Sequence, residues 1–205
     1  MRASSRVSAV RACVIAALAG CAASALADGA ALDGPGRAML DSLREEALRP
    51  SALVKRLALA PDAQVADVGA GPGFLTLPLA RAVPRGAVLA TDVRADYLAA
   101  AADRAARAGL SNVRTRVVPA DRPSLDPASI DLAVLCQLDH YLKDRAAYFA
   151  ALVPALRPRG RIALINYVRY READLAAARA AHLRVVDEWA PSPPFFLLVL
   201  APYQP

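Results

Sequence analysis

The sequence predicts an α/β fold: a doubly wound, mostly parallel seven-stranded sheet with one antiparallel strand. Three observations carry that expectation. Apolar runs of strand length alternate with amphipathic helical stretches, the sequence form of repeated βαβ units. Those runs lack the polar alternation of a half-exposed strand, so helices are expected on both faces of the sheet. The last two runs, Leu183 to Trp189 and Phe195 to Leu200, are joined through Pro191-Ser192-Pro193-Pro194 with no helix between them. Two strands that close so tightly can only be antiparallel neighbours, and the sheet should end with one reversed strand.

Taken in order, a Gly/Pro-rich connector around Asp33-Gly34-Pro35-Gly36 leads to an amphipathic helix from Arg37 to Leu48. Pro50 ends it, and Ser51 can cap a second helix from Ala52 to Leu59. The βαβ units follow: strand Gln64 to Gly69, helix Gly73 to Val83, strand Ala87 to Asp92, helix Ala95 to Ala108, strand Val113 to Val118. Then come strand Ile130 to Gln137, helix Asp144 to Leu156, strand Arg161 to Tyr167, helix Glu172 to Ala181 and the closing hairpin. Pro78 should kink the first of these helices or delay its regular start.

The 205 residues, 56% of them hydrophobic, suit one domain with a substantial core. Residues 1 to 27 read differently. Arg2, Arg6 and Arg11 precede an uncharged run of 16 residues from Ala12 to Ala27, short for a membrane span but matching a secretory leader. Ala25-Leu26-Ala27 is a small-x-small cleavage site, while Leu18-Ala19-Gly20-Cys21 resembles a bacterial lipobox in which Cys21 would carry a lipid anchor. The expected organisation is a leader over 1–27, a connector with an N-terminal helix over 28–50, and the main domain over 51–205. Export to the periplasm, or anchoring at the outer membrane, follows from the leader. The alternative is a cytoplasmic protein translated from Met39.

Of the formal charge of +6, three charges are leader arginines, which leaves +3 for the remainder. No dense Lys/Arg run interleaved with aromatics is present, so a nucleic-acid partner is not expected. Cys136 is the only cysteine after the leader, and His140 and His182 have no second ligand at zinc-site spacing. Neither an internal disulfide nor a metal site is expected there.

The chemistry concentrates at Val65-Ala66-Asp67-Val68-Gly69-Ala70-Gly71-Pro72-Gly73-Phe74, an apolar strand entering a turn with glycine at every second position. Such a turn lets a ligand approach main-chain N–H groups with no Cβ in the way. A dinucleotide fingerprint needs a third glycine where Phe74 stands. The second signal is Asp92, which closes the next strand 19 residues after Gly73. In doubly wound sheets an acid there accepts hydrogen bonds from ribose hydroxyls. The pattern Asp67-x-Gly69-x-Gly71-x-Gly73, with Asp92, resembles the first motifs of class I S-adenosylmethionine (SAM) dependent methyltransferases, whose seven-strand signature is the closing hairpin.

That resemblance covers Ser51 to Pro202. It implies a Rossmann-like fold, SAM as cofactor, a methyl transfer to a small-molecule acceptor, and N-terminal helices lying over the cofactor; the alternative, prompted by the leader, is an exported non-catalytic protein that retains the fold and binds SAM or another nucleoside ligand. It also implies a cofactor set of Asp67, Gly69, Ala70, Gly71, Gly73, Phe74, Asp92, Asp121, Cys136 and Gln137. Asp121 would meet the adenine amino group or cap the following turn, and Asp67 would order the glycine loop. Gln137-Leu138-Asp139-His140-Tyr141 resembles the fourth motif of methyltransferases similar to the ubiquinone and menaquinone C-methyltransferases. His140 there is a candidate general base or a packing residue, with Asp139 and Tyr141 as alternates. Methyl transfer needs little acid-base help, because positioning a nucleophile against a sulfonium methyl supplies most of the acceleration.

Overall fold

The computed structural model describes residues 32–203, so the expected leader, with Cys21 and the Ala25-Leu26-Ala27 site, lies outside the described residues. The strands are β1 (Gln64–Val68), β2 (Ala87–Asp92), β3 (Val113–Val117), β4 (Ile130–Cys136), β5 (Leu156–Tyr167), β6 (Leu183–Trp189) and β7 (Phe195–Pro202). They form one seven-stranded sheet in the order β3-β2-β1-β4-β5-β7-β6. Pairs from β3 to β5 are parallel, and β7 runs antiparallel to both β5 and β6.

The alternation of side chains along each strand builds two separate cores. Val65 of β1, Leu132 and Val134 of β4, and Ile165 of β5 meet Leu53 and Leu57 at the end of α3 (Pro50–Arg56) and Leu79 of α4 (Thr76–Ala82). Their neighbours Ala66, Val68, Ala133, Leu135 and Leu164 face the other way. There they meet Phe149 and Leu152 of α6 (Arg145–Leu152) and Ala177 and Ala178 of α7 (Arg171–Ala180). Apolar residues at consecutive positions therefore mean two covered faces. The helix α5 (Ala95–Arg107) covers the β2 and β3 side with Leu98 against Ala90.

The reversed strand is not at the end of the sheet. β7 is buried from Phe195 through Leu200, whereas β6 is largely exposed and carries Arg184, Asp187 and Glu188. A strand with no polar side chain must be flanked on both edges, and the charged one takes the edge, where Arg56 clamps Asp187 at 2.8 and 2.5 Å.

The expected helix over Arg37 to Leu48 is two helices, α1 (Gly34–Ala38) and α2 (Ser42–Leu48), because two acids each start one. Asp33 accepts the Gly36 N–H at 2.7 Å, and Asp41 accepts the Leu43 N–H at 2.7 Å. Ser51 caps nothing: Pro50 occupies the first position of α3, and Arg49, in the left-handed region, takes the capping place without a side-chain bond. The regular start of α4 is delayed to Thr76, which leaves Pro78 in the first turn, where no N–H partner is lost. β5 begins at Leu156 rather than Arg161, rejoining β4 through a bulge. Leu48 is fully buried in the same core as the sheet, so the segment before Ser51 packs as part of the one body.

Phe149 is fully buried beneath the sheet. Phe149→Ala should cost about 3–5 kcal/mol, read as a lower denaturant midpoint at unchanged slope.

Candidate cofactor site

The strand order reverses between β1 and β4, and the crevice outside their carboxyl ends is where open α/β sheets bind ligands. A cleft of about 210 Å³ opens there. Its polar end is Gly69 and Asp92. Val93, Val118, Pro119 and Ala120 form one wall, and Leu138, Tyr141, Leu142 and Tyr148 the other.

The glycine turn is shaped by what presses on it. Gly69 has φ +69°, and a Cβ there would meet Leu138 Cδ2 at 2.8 Å; at Gly71, φ +54°, it would meet Met39 Sδ at 2.9 Å. Both positions therefore require glycine. Asp92 ties this turn to the next one, with Oδ2 accepting the Gly71 N–H at 2.8 Å and Oδ1 the Arg94 N–H at 2.9 Å. Each carboxylate oxygen keeps a second lone pair, which suits a vicinal diol.

The other expected cofactor residues divide. Asp67 is 2% exposed and sits beneath the turn, outside the cleft lining, accepting the Thr76 Oγ1 hydrogen bond at 2.6 Å. Burial pushes its carboxyl up to about 6. Gly73 is needed for packing, since a Cβ would meet Ala101 of α5 at 3.0 Å. Ala70 is buried against Ala90 and Leu98, with its N–H given to Thr91 O at 2.9 Å. Asp121 is exposed and outside the cleft lining, though its charge reaches Tyr148, whose phenol burial pushes up to about 12. Its neighbour Ala120 is the residue that lines the wall.

Phe74, Cys136 and Gln137 surround one side chain that the sequence did not single out. Arg44 of α2 lies with its guanidinium carbon 4.1 Å from the Phe74 ring centre. It donates from Nε to Gln137 Oε1 at 2.9 Å, from Nη1 to Met39 O at 2.6 Å, and from Nη2 toward Cys136 Sγ at 3.7 Å. Burial pushes the Cys136 thiol up to about 12, which keeps it neutral and unreactive. No pattern marks Arg44 among the charges of an amphipathic helix. Val93 did carry a signal, an apolar residue directly after the acid that closes β2, and it is 53% exposed in the cleft wall.

The candidates after β4 occupy three different environments in a short 3-10 helix, Asp139–Tyr141. Tyr141 lines the cleft and is 77% exposed. His140 is half-buried, its ring stacked on Tyr170 with centroids 4.8 Å apart and its Nδ1 without a partner. Burial lowers its pKa, so the imidazole is neutral at pH 7. Asp139 is fully buried and accepts from Asn166 Nδ2 at 2.6 Å. It has no exposed surface for an acceptor, because its carboxylate points into the protein's polar interior.

A strap formed by α1 is pinned beside Asp92. Asp33 accepts from Arg94 Nη1 at 2.7 Å and from the Tyr97 hydroxyl at 2.9 Å, which with the Gly36 N–H lowers its carboxyl to about 2.

The crevice, glycine turn and strand-end acid define a doubly wound protein built to hold a nucleoside cofactor. Residues 65–160 match the family described as a methyltransferase domain. Among solved structures, a SAM-dependent methyltransferase from Aquifex aeolicus is similar at 22% identity and a TM-score of 0.75, over 82% of this chain and 98% of that one. A TehB-like SAM-dependent methyltransferase from Corynebacterium glutamicum is similar at 18% identity and 0.63, also over 82% and 98%. The [4+2]-cyclase SpnF is similar at 19% identity and 0.66, over 74% and 79%. At such identities the structures show a shared fold. No curated protein matches the sequence. The domain match and the shared fold together support a SAM-dependent methyltransferase, with S-adenosyl-L-methionine as the cofactor.

The Asp67 carboxyl is raised to about 6 in the folded protein against about 3.9 in an unfolded chain. The stability this group contributes is full below about pH 4 and is lost as pH rises to about 6. Asp67→Asn, neutral throughout, should gain on the wild type over that window and then run level with it. Thermal midpoints between pH 4 and 8 check this, and parallel curves would contradict it.

Proposed function

We propose that this methyltransferase acts on a small-molecule acceptor and holds the adenosine half of its cofactor in the cleft between Gly69 and Ala120. The observation that carries this reading is Asp92, an acid with spare lone pairs at the mouth of an otherwise apolar cleft. Its carboxylate suits the ribose diol, and Val93, Val118 and Pro119 suit the faces of a purine. Arg44, at the neighbouring end of β4, suits the amino-acid carboxylate, with the Phe74 ring beneath it limiting its motion.

When bound, the cofactor supplies a sulfonium methyl group that is itself the electrophile. The protein's share is then to hold the acceptor nucleophile in line and to exclude water. The carboxyl ends of β4 and β5 offer Tyr141, His140, Tyr167 and Tyr170 for this. The Nδ1 of His140 is sealed from solvent and its ring stacks on Tyr170, which supports a packing role over removal of a proton from the acceptor. The basic start and apolar middle of residues 1–27 support export. A protein starting at Met39 would lose Asp33 and with it the strap's bond to Arg94. N-terminal sequencing of native protein distinguishes starts at Cys21, Asp28 and Met39.

Calorimetry with S-adenosylhomocysteine tests the reading. The wild type should bind with a Kd between about 1 μM and 1 mM. Asp92→Ala should weaken binding about 10- to 100-fold, the loss of charge-assisted hydrogen bonds. A folded wild type that shows no binding at millimolar ligand would overturn it. Methyl-labelled cofactor offered with pooled small-molecule extracts would then identify the acceptor.

A further inference from the structure

Two carboxyl groups lie behind the cleft wall, sealed from solvent. Asp139 opens the 3-10 helix after β4, Asp174 lies in the first turn of α7, and both are 0% exposed. One guanidinium serves both. Arg145 Nε lies 3.3 Å from Asp174 Oδ1 and 3.7 Å from Asp139 Oδ2, and it donates to the Asp139 carbonyl at 3.0 Å. Asn166 satisfies Asp139 Oδ2, while Asp139 Oδ1 and both Asp174 oxygens have no donor. Two buried negative charges against one positive leave a net charge that a water-free interior removes by taking up a proton. Both carboxyl groups converge on the same Arg145 Nε, at 3.7 and 3.3 Å, so a proton taken up there also supplies a donor that the orphaned oxygens lack.

We propose that Asp139 and Asp174 share one proton, and that this neutral latch with Arg145 makes Asp174 a positioning residue for the Leu138–Tyr141 wall of the cofactor cleft. Leu138 presses on Gly69 and Tyr141 lines the cleft, so the chain on either side of Asp139 shapes the site. The latch holds that chain to three elements: β5 through Asn166, α6 through Arg145 and α7 through Asp174. The other charged or titratable groups facing it are His140 on the same 3-10 helix, and Arg169 and Tyr170 from the turn before α7. Arg169 sits over the Tyr170 ring and pairs with neither acid.

Burial and the adjacent Asp139 push the Asp174 carboxyl up to about 8. Its folded pKa is above its unfolded one, so the stability it contributes is full below about pH 4 and lost progressively up to about pH 8. Above that the pair faces Arg145 with two negative charges, and the wall loosens.

Infrared spectroscopy of the wild type at pH 7, where Asp67 is mostly ionised, should show the carbonyl band of a protonated carboxylic acid. The band should fade as pH rises through about 8, and Asp174→Asn should lack it. That variant, which keeps the shape without the charge, should gain thermal stability on the wild type as pH rises from 5 to 8. S-adenosylhomocysteine affinity of the wild type should fall about fivefold or more between pH 7 and 9.5, and that of the variant by less than about twofold. A wild type without the band at pH 7, or parallel thermal profiles, would overturn the shared proton. Parallel affinity profiles would overturn the positioning role. The affinity arm rests on the function proposed above: binding by neither protein at any pH sinks that function, while the infrared and thermal arms still decide the latch. Should Asp174→Asn fail to fold, the wild-type infrared titration decides alone.

Discussion

The reversal of strand order between β1 and β4 is the constraint on which the rest of this structure depends. The connection leaving β1 passes to the face covered by α4, and the one leaving β4 to the face covered by α6. Two chains that part in opposite directions cannot cover the space between them, so a crevice stays open over the carboxyl edge of the sheet. The glycine turn, Asp92, Leu138 and Tyr141 stand around that crevice because each belongs to the first residues beyond, or the last residue of, a strand reaching it. Away from that edge, the two faces of the sheet are covered by apolar packing.

The placement of buried polar groups follows the same geography. Asp67, Thr91 and Asn166 are each the penultimate residue of their strand, and Asp139 lies just beyond the end of β4. The residues just before them, Val65, Ala66, Ala90 and Ile162 to Ile165, are apolar and buried. Polar burial is costly without partners, so its concentration at one end marks where local consistency yields to function. Asp67 meets that cost through Thr76, Asn166 through Asp139 and the Tyr167 N–H, and Asp139 through Asn166 and Arg145.

Much of this was legible in the chain. The strand boundaries at Ala87 and Phe195 follow directly from apolar runs, since burial on both faces leaves little room for polar side chains, while Val113 and Leu183 begin the more polar edge strands. The place of β7 was legible too, had composition been weighed beside adjacency: Phe195 to Leu200 is uncharged and Leu183 to Trp189 is not, so only the latter can form an edge. The division of the first expected helix was harder to read, because Asp41 looks like one more charge on a solvated face until its bond to the Leu43 N–H is seen. Arg44 gave no local sign at all. Its contacts lie about ninety residues away, at Cys136 and Gln137.

What the sequence by itself determined is the class of fold and the place of the glycine turn and the strand-end acid, because periodicity and glycine spacing are local properties with local physical causes. What only the tertiary structure decided is which residues line the cleft and which pack behind it. Asp67, Ala70 and Gly73 belong to the same motif as Gly69 and Gly71, yet they turn toward Thr76, Leu98 and Ala101. Asp139 and His140 are adjacent, yet one is sealed with Asp174 and the other stacks on Tyr170. Direction and burial arise from contacts between distant segments, and no spacing along a single chain encodes them.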